Sequence, residues 1–378
     1  MSRRPFTFYE FFAGGGMARL GLGAGWHCLF ANDFDGLKTA TYRDNFGDGH
    51  LRQGDVWAID PRDLAGQVDL AWASSPCQDV SLAGARAGLG GARSSAFWGF
   101  WRLIEALDNQ DRAPRTIVLE NVAGLFSSAG GADFAAIGQA FASRGYNFGA
   151  LELNASDFLP QSRARAFVIA TREAPSGLVS SMPGALASAA VRRAADQLPD
   201  ALKSHWLWWR LDAQRPRNTV LADLLEPDDA VAWRSDAQTA VLLVQMSPLH
   251  RERLRVAAAR GERVAAPVYR RVRGAASDKV QRAELRLDGL AGCLRTPGGG
   301  SSRQLLVIVD RGRTRSRWLS PREGARLMGL PEDYRLPAGA TAAWQVIGDG
   351  VAVPVVRRLA DQILEPLLAG ASAIAAAG

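Results

Sequence analysis

The sequence predicts an α/β fold: a mostly parallel sheet with helices on both faces, joined to a second, smaller domain. Three observations carry this. Short apolar runs alternate with helix-like stretches as far as Ala170, the rhythm stops after Thr171, and basic residues concentrate in one later stretch. Strand–helix alternation with apolar strands is the pattern of a parallel sheet buried on both faces. Such sheets bind ligands beyond the carboxyl ends of their strands, so the residues just after each strand matter most.

Thr7–Phe12 is the first expected strand; it runs into Ala13-Gly14-Gly15-Gly16, and Met17–Leu22 begins a helical pattern. His27–Ala31 is the second, closed by Asn32-Asp33. Val68–Ala73, Thr116–Leu119 and Phe167–Ala170 follow, with helices expected over Ala96–Leu107 and Phe134–Arg144. Ala174–Ala190, rich in Ala, Ser, Gly and Pro, reads as a connection. From about Val191 to Pro337 the chain is Arg-rich without a βαβ rhythm, and Trp344–Leu368 returns to an apolar helical pattern. The expected domains are therefore 1–180, 181–338 and 339–378, the last rejoining the first. Trp206, Trp208 and Trp209 suit either base stacking or, more commonly, the core of the small domain.

The 378 residues, 47% hydrophobic and 22% charged, have globular composition. Cys28, Cys77 and Cys293 lie far apart without a CxxC pair, and His27, His50, His205 and His250 lack ligand spacing. Neither a disulfide framework nor a metal site is expected. No apolar run reaches the roughly 18 residues that cross a bilayer. Met1-Ser2-Arg3-Arg4-Pro5 is not followed by the apolar core of a signal peptide. A cytoplasmic protein with no membrane partner is the expectation. The net charge of +7 is unevenly placed: Arg251–Arg317 holds 17 Lys+Arg against 6 Asp+Glu. That excess suits a polyanion such as nucleic acid. An Arg-rich composition also contributes, since Lys occurs only at 38, 203 and 279.

The strand ends carry chemistry. Glycines after the first strand let backbone turn tightly and approach a ligand. Asp33 at the second strand end suits a ribose diol, Phe34 an adenine face, and Asp55 an adenine amino group. Together they describe an adenosine pocket without a phosphate cradle, although each acid could instead cap a helix. Ser74-Ser75-Pro76-Cys77-Gln78 places a cysteine after a strand, where a nucleophile belongs; a buried, inert cysteine is the commoner fate. The small, Gly-rich run from Ser81 to Ser95, with Arg86 and Arg93, has the composition of a basic lid. Glu120-Asn121-Val122 ends another strand, and a carboxyl half-buried in a pocket can hold a proton near neutrality. Gln161, Arg163 and Arg165 alternate at strand period and are expected on one face.

These residues resemble the DNA cytosine-5 methyltransferases of bacteria and phages. The blocks that carry the resemblance stand in order from Phe8 to about Pro354. They are Phe12-Ala13-Gly14-x-Gly16, Pro76-Cys77-Gln78, Glu120-Asn121-Val122, Gln161-x-Arg163-x-Arg165, Arg322-Glu323-x-Ala325-Arg326-Leu327-Met328-Gly329 and Gly348-Asp349-Gly350-Val351-Ala352-Val353-Pro354. Glu10 stands where the family usually has Asp, Met17 replaces a frequent Gly, Ser94-Ser95-Ala96 replaces Ser-Arg-Gly, and Asp349 replaces Asn. The resemblance implies a Rossmann-like S-adenosylmethionine-dependent methyltransferase fold with a smaller DNA target-recognition domain. It implies an S-adenosylmethionine site formed by Phe12, Ala13, Gly14, Gly15, Gly16, Asp33, Phe34, Asp55, Val56, Pro76, Phe97, Asp349, Gly350 and Val351, with S-adenosylhomocysteine as product. Cys77 would be the nucleophile; Glu120, Arg163 and Arg165 would hold the target base, with Glu120 the acid at N3.

The implied partner is double-stranded DNA, met by a monomer that flips the cytosine out of the stack, with a companion restriction endonuclease in the same cell. Gln78, Ser81, Arg86, Arg93 and Gln161 are expected to face the DNA. So is the segment Gly298–Gln304, where Arg303 suits guanine and Gln304 suits adenine. Two rival readings stand beside this one. A tRNA cytosine-5 methyltransferase of the same fold usually carries a Cys-Phe-Thr signature, absent here. A catalytically silent DNA-binding protein would not need Cys77, Glu120, Arg163 and Arg165 together.

Overall fold

Phe6–Phe11 forms strand β1, and every residue after Phe6 is buried. A continuous buried run is what a central parallel strand requires, because helices cover both faces. The computed structural model describes residues 4–76, 96–213, 216–273, 280–297 and 303–375. Contacts divide the chain into two units: residues 1–154, 164–214 and 351–378, and residues 155–163 with 215–350.

In the first unit β1 is followed by α1 (Met17–Leu22), β2 (Trp26–Asp33), α2 (Gly36–Phe46), β3 (Leu51–Gln53) and β4 (Leu70–Ser74). Then come α3 (Ala96–Asp108), β5 (Thr116–Val122), α4 (Ala132–Ser143), β6 (Asn147–Asn154) and β7 (Ala164–Thr171). The sheet order is β3-β2-β1-β4-β5-β7-β6. β3, β2, β1, β4 and β5 run parallel, and β7 runs antiparallel to both β5 and β6. The mostly parallel sheet is thus as expected. β6 went unread in the sequence because Gly149 interrupts it. That glycine is required: a Cβ there would lie 2.0 Å from the Leu207 carbonyl oxygen.

The first unit extends well past residue 180. Val179–Ser180 (β8) pairs with Trp208–Trp209 (β9), and α5 (Ala189–Asp196) and α6 (Asp200–Lys203) lie between. Val191, Ala194, Leu198 and Leu202 join the first unit's core. Trp206 packs edge-on against Phe134 and Phe148, at centroid distances of 6.0 and 5.6 Å. The tryptophan cluster is therefore core, but core of the large unit; its burial moves the boundary from 180 to 214.

The second unit holds α7 (Asp236–Val244), α8 (Pro248–Ala258) and a four-stranded antiparallel sheet of order β11-β10-β12-β13. Its strands are β10 (Val264–Arg273), β11 (Val280–Leu285), β12 (Leu305–Asp310) and β13 (Arg313–Trp318), followed by α9 (Pro321–Leu327) and α10 (Ala340–Asp349). Leu242 of α7, Leu254 of α8 and Met246 between them close over Ala266, Val268, Leu305 and Val307 of the sheet. The chain then rejoins the first unit as α11 (Val353–Leu359) and α12 (Glu365–Ala375), so residues 339–350 belong to the second unit.

The block Arg322–Gly329 has a structural role here. Ser320 caps α9, accepting from the Glu323 N–H, and Glu323 returns the bond to the Ser320 N–H. The Glu323 carboxylate also accepts from the Glu226 N–H and pairs with Arg317; both charged side chains are wholly buried. Removing one partner of a buried pair leaves an uncompensated charge and costs about 3–5 kcal/mol. Glu323→Gln should lower stability by that amount in urea titrations, and the double change Arg317→Met/Glu323→Leu should cost less than the sum of its single changes.

Candidate active site

Strand register gathers the expected residues on one sheet edge. Phe11 lies beside Asn32 and Ala73, Asp33 beside Gln53, and Ser74 beside Glu120. The carboxyl ends of β1 to β5 therefore present Phe12, Asp33, Asp55, Pro76 and Glu120 together. A cavity of about 370 Å³ lined by Arg4, Thr7, Asp69 and Arg115 opens at the opposite, amino edge. Open parallel sheets bind ligands at the carboxyl edge, so position decides against that cavity.

The glycine turn is shaped by backbone sterics. Phe12 has φ 56°, an uncommon conformation for an aromatic residue, and Gly14 and Gly16 share that region at 55° and 79°. A Cβ on Gly16 would lie 2.3 Å from the Phe46 ring, so only glycine admits the close approach of α2. A Cβ on Gly14 would meet nothing within 4 Å. Asp33 fastens the turn to β2: its Oδ2 accepts from the Gly14 N–H at 2.8 Å and its Oδ1 from the Asp35 N–H at 2.9 Å. Burial nonetheless raises this carboxyl above its usual range. Beside it the Phe34 ring is 74% exposed, an unusual state for a phenylalanine. Asp55 accepts from the Trp57 N–H at 3.0 Å, capping a short 3₁₀ turn through one oxygen.

Behind the turn lies a polar cluster missed in the sequence. Glu10, buried on β1, accepts from the Arg19 N–H and the Tyr42 hydroxyl. The Arg19 guanidinium donates to that hydroxyl and to His50 Nε2, and the Cys28 thiol sits 3.7 Å from Tyr42 Oη. Burial pushes Glu10 up to about 7 and Cys28 up to about 12, and lowers His50 to about 4. Glu10's contribution to stability is thus full below its ordinary 4.5 and is lost as pH rises through about 7. His50 acts oppositely: its folded value is depressed, so its contribution is lost as pH falls from 6.5 toward 4. Against Glu10→Gln, the wild type should lose on the order of 3 kcal/mol between pH 4.5 and 7.5, measured by chemical denaturation.

The chemistry-bearing half lies at the ends of β4, β5 and β7. Glu120 is 5% exposed, and its Oε1 is 3.2 Å from Arg165 Nε. Antiparallel pairing sets Val122 opposite Arg165, which brings the start of β7 to the carboxyl end of β5. Asn121 Nδ2 donates to the Ser75 carbonyl and hydroxyl oxygens, tying β5 to the segment that leads through Pro76. Cys77, Gln78, Ser81, Arg86 and Arg93 lie outside the described residues.

Several expected site residues are used otherwise. Gln161 and Arg163 do not share a face with Arg165, because β7 begins only at Ala164. Residues 160–162 instead bond to Ala291 of the second unit, through Ser162 N–H to Ala291 O and Ala291 N–H to Pro160 O, both at 2.8 Å. Gln161 is fully buried; its amide donates to the Leu327 carbonyl and accepts from the Leu294 N–H, so it does not face DNA in this structure. Arg163 is 2% exposed and donates to the carbonyls of Leu294, Gly348 and Gly350 at 2.8, 2.9 and 2.6 Å. It therefore pins the Gly348-Asp349-Gly350 block, and a Cβ on Gly348 would lie 2.4 Å from the Thr296 nitrogen. Gln304 is also buried: it bonds both N–H and carbonyl of Gly292 and accepts from the Tyr269 hydroxyl, leaving no edge for adenine. Phe97, 1% exposed and stacked on Trp101, belongs to the core, as do the Val56 and Val351 side chains.

A family model described as C-5 cytosine-specific DNA methylase matches residues 6–365. The Type II methyltransferase M.HhaI of Haemophilus parahaemolyticus is 24% identical over 362 residues, covering 94% of this chain and 93% of the relative. The Type II methyltransferase M.HpaII of Haemophilus parainfluenzae is 26% identical over 383 residues, covering 97% and 91%. Among solved structures, the S. pombe Dnmt2 methyltransferase superposes with a TM-score of 0.62 at 17% identity, covering 96% of this chain and 99% of that one; this likeness shows the fold.

Proposed function

Because the chain belongs to the family of C-5 cytosine-specific DNA methylases, we propose that it transfers a methyl group from S-adenosylmethionine to C5 of a cytosine flipped out of duplex DNA. The observation that carries the reading is the buried Glu120–Arg165 pair at the carboxyl edge, beside the strand end that leads into Cys77. The residues present fit the methyl donor. Phe34 offers an open aromatic face, Asp33 and Asp55 are carboxyl groups at adjoining strand ends, and space lies open over Gly14. When bound, the donor supplies an electrophilic methyl on a sulfonium.

C5 of cytosine is a poor nucleophile. Addition of the Cys77 thiolate to C6 converts the ring to an enamine, which splits one difficult step into easier ones. Arg165 swings its guanidinium from Glu120 to the base O2. The carboxyl of Glu120, carrying a proton, shares it with N3, neutralising the charge that develops on the ring. C5 takes the methyl and leaves S-adenosylhomocysteine; the C5 proton passes to a water as the C6–S bond breaks to release the Cys77 thiolate, and N3 returns its proton to Glu120. Arg163 acts from a distance, holding the backbone of the Gly348–Gly350 block.

The partner is double-stranded DNA, with a monomer as the working form and a companion restriction endonuclease in the same cytoplasm. Among the described residues no helix is long and apolar enough to cross a membrane. Methyl transfer from labelled S-adenosylmethionine to duplex DNA, tRNA and deoxycytidine monophosphate, run side by side, tests the reading. Label should enter duplex DNA alone, and bisulfite sequencing of DNA from an expressing host should map the site. Transfer to tRNA instead would establish the rival substrate.

Phe34→Ala should weaken S-adenosylmethionine binding about 5- to 100-fold, the range for loss of one base–aromatic stack, without lowering thermal stability, since the ring is exposed. Asp33→Ala should weaken it about 10- to 100-fold and also loosen the glycine turn. Calorimetry on the folded variants measures both, and unchanged affinity would remove these residues from the site.

A further inference from the structure

Two tryptophans of the second unit are each ringed by arginines, in opposite electrostatic settings. Trp233 lies under Arg315 and Arg317, whose guanidinium carbons are 3.8 and 5.6 Å from the ring centroid. Both cations are neutralised: Arg315 pairs with Asp228, which also takes Arg263, and Arg317 pairs with Glu323. Trp318, closing β13, has Arg270 at 5.1 Å, Arg234 at 5.9 Å and Arg303 at 6.0 Å. Among the described residues no carboxylate pairs with any of these three.

The cluster is assembled from separate elements. Arg270 follows Ala266 and Val268 at strand period on β10 and sits where that face meets the edge of the core. Arg303 precedes β12, whose Leu305 registers with Trp318. Arg234 precedes the cap of α7, and its N–H donates to the Ser316 carbonyl at 3.0 Å. The Arg234 Nε is buried without a hydrogen-bond partner among the described residues. Burial and then the charge of Arg270 hold this guanidinium below its usual range. Three like charges around one ring repel each other, and the ring quadrupole offsets only part of that. The Trp233 cluster shows the same sheet neutralising its arginines with carboxylates; around Trp318 that compensation is missing.

We propose that Arg234, Arg270 and Arg303 on Trp318 form a phosphodiester clamp for the DNA backbone, and that Arg303 holds a phosphate rather than a guanine edge. This rests on the duplex-DNA reading above. A guanine edge is neutral and engages one guanidinium, so it would leave the mutual repulsion in place. A phosphate brings the missing negative charge, with oxygens that several guanidinium forks can share. Phosphate binding of this kind sets register and affinity without carrying sequence information.

The test uses the full chain with two labelled duplexes, one bearing the site mapped by bisulfite sequencing and one scrambled. Arg270→Gln/Arg303→Gln is compared with Arg255→Gln, an exposed arginine already paired with Glu252. The double variant should bind both duplexes more weakly by the same factor, about tenfold or more. Its slope of log K against log salt should fall by about 1, the value for loss of the one phosphate contact the clamp makes. Its Tm should stay level or rise, because repulsion is relieved; a merely structural role would lower it. Arg255→Gln should change neither slope nor ratio, and Arg303→Lys should restore most of the slope. If Arg303→Gln weakens only the site-bearing duplex, Arg303 reads a base and the clamp is overturned. An unchanged slope overturns it as well. In both cases duplex methylation by the wild type leaves the functional reading standing. A wild type that binds neither duplex overturns that reading and the clamp with it.

Discussion

Cys77→Ser will lower methyl transfer to duplex DNA by more than about 10³-fold, because a serine hydroxyl is too weakly acidic to supply the nucleophile. The same change will abolish a covalent trap. With 5-fluorocytosine at the target position, Cys77 adds to C6 and C5 takes the methyl, but fluorine cannot leave as a cation. Elimination is blocked, and protein and DNA stay joined through the C6–S bond. The wild type should give an SDS-resistant band that depends on S-adenosylmethionine, since thiol addition reverses before methyl transfer. Cys77→Ser should give none. The thiols of Cys28 and Cys293 are the internal controls. Cys28 is buried with its acidity suppressed, pushed up to about 12, so it cannot present a thiolate. A trapped peptide containing Cys28 or Cys293 would falsify the assignment.

Glu120→Gln will slow single-turnover methylation by about 10²- to 10⁴-fold, the range for loss of a positioned general acid, with duplex affinity little changed. The amide keeps the shape beside Arg165 but cannot deliver a proton to N3. Arg165→Ala acts on the same pair from the other side and will also cost stability, because it removes a charged partner from a 5% exposed carboxyl. Arg165→Lys should recover stability more fully than rate, since a lysine supplies charge without the guanidinium fork. Equal loss in rate and in folding for Glu120→Gln would mark the pair as structural only.

The strand ends were legible because their signal is local. A buried parallel strand must be apolar along its length, so the first polar or glycine residue after it marks the carboxyl edge. The glycine turn after Phe12, Asp33, the Ser74-Ser75-Pro76 segment and Glu120 were placed this way; Asp55 follows β3, where only Leu51 is buried, so its signal was the sequence order alone. What local pattern could not show is which polar groups are already engaged by distant backbone. Gln161 and Arg163 fit a strand alternation, yet the pairing of residues 160–162 with Ala291 draws them into the other unit. Gln304 has the right chemistry for adenine but spends it on Gly292, twelve residues away. The pairs Arg317–Glu323 and Glu10–Tyr42 were unreadable for the same reason, since each joins residues from different elements. The tryptophans at 206 and 208 gave a correct environment and a wrong unit: indole burial is local knowledge, and the identity of the core that receives it is not.

The interleaving of the chain has a consequence for biosynthesis. The helices α11 and α12 close the first unit against its opening elements. The Glu365 carboxylate accepts from the Trp26 indole N–H across 339 residues, the Arg357 guanidinium reaches the Leu22 carbonyl, and Val356 fills the space over Gly21. At ordinary rates of translation, about 5–20 residues per second, tens of seconds separate synthesis of the two sides of this closure. During that interval the nascent sheet must persist with an apolar flank around α1 uncovered, while the whole second unit emerges between. Such a surface is what chaperones bind and what drives aggregation of incomplete chains. Production of this protein should therefore respond to chaperone supply and slower, cooler expression more than to changes in the catalytic residues. A truncation before residue 351 should be recovered as insoluble material even though every candidate catalytic side chain is present.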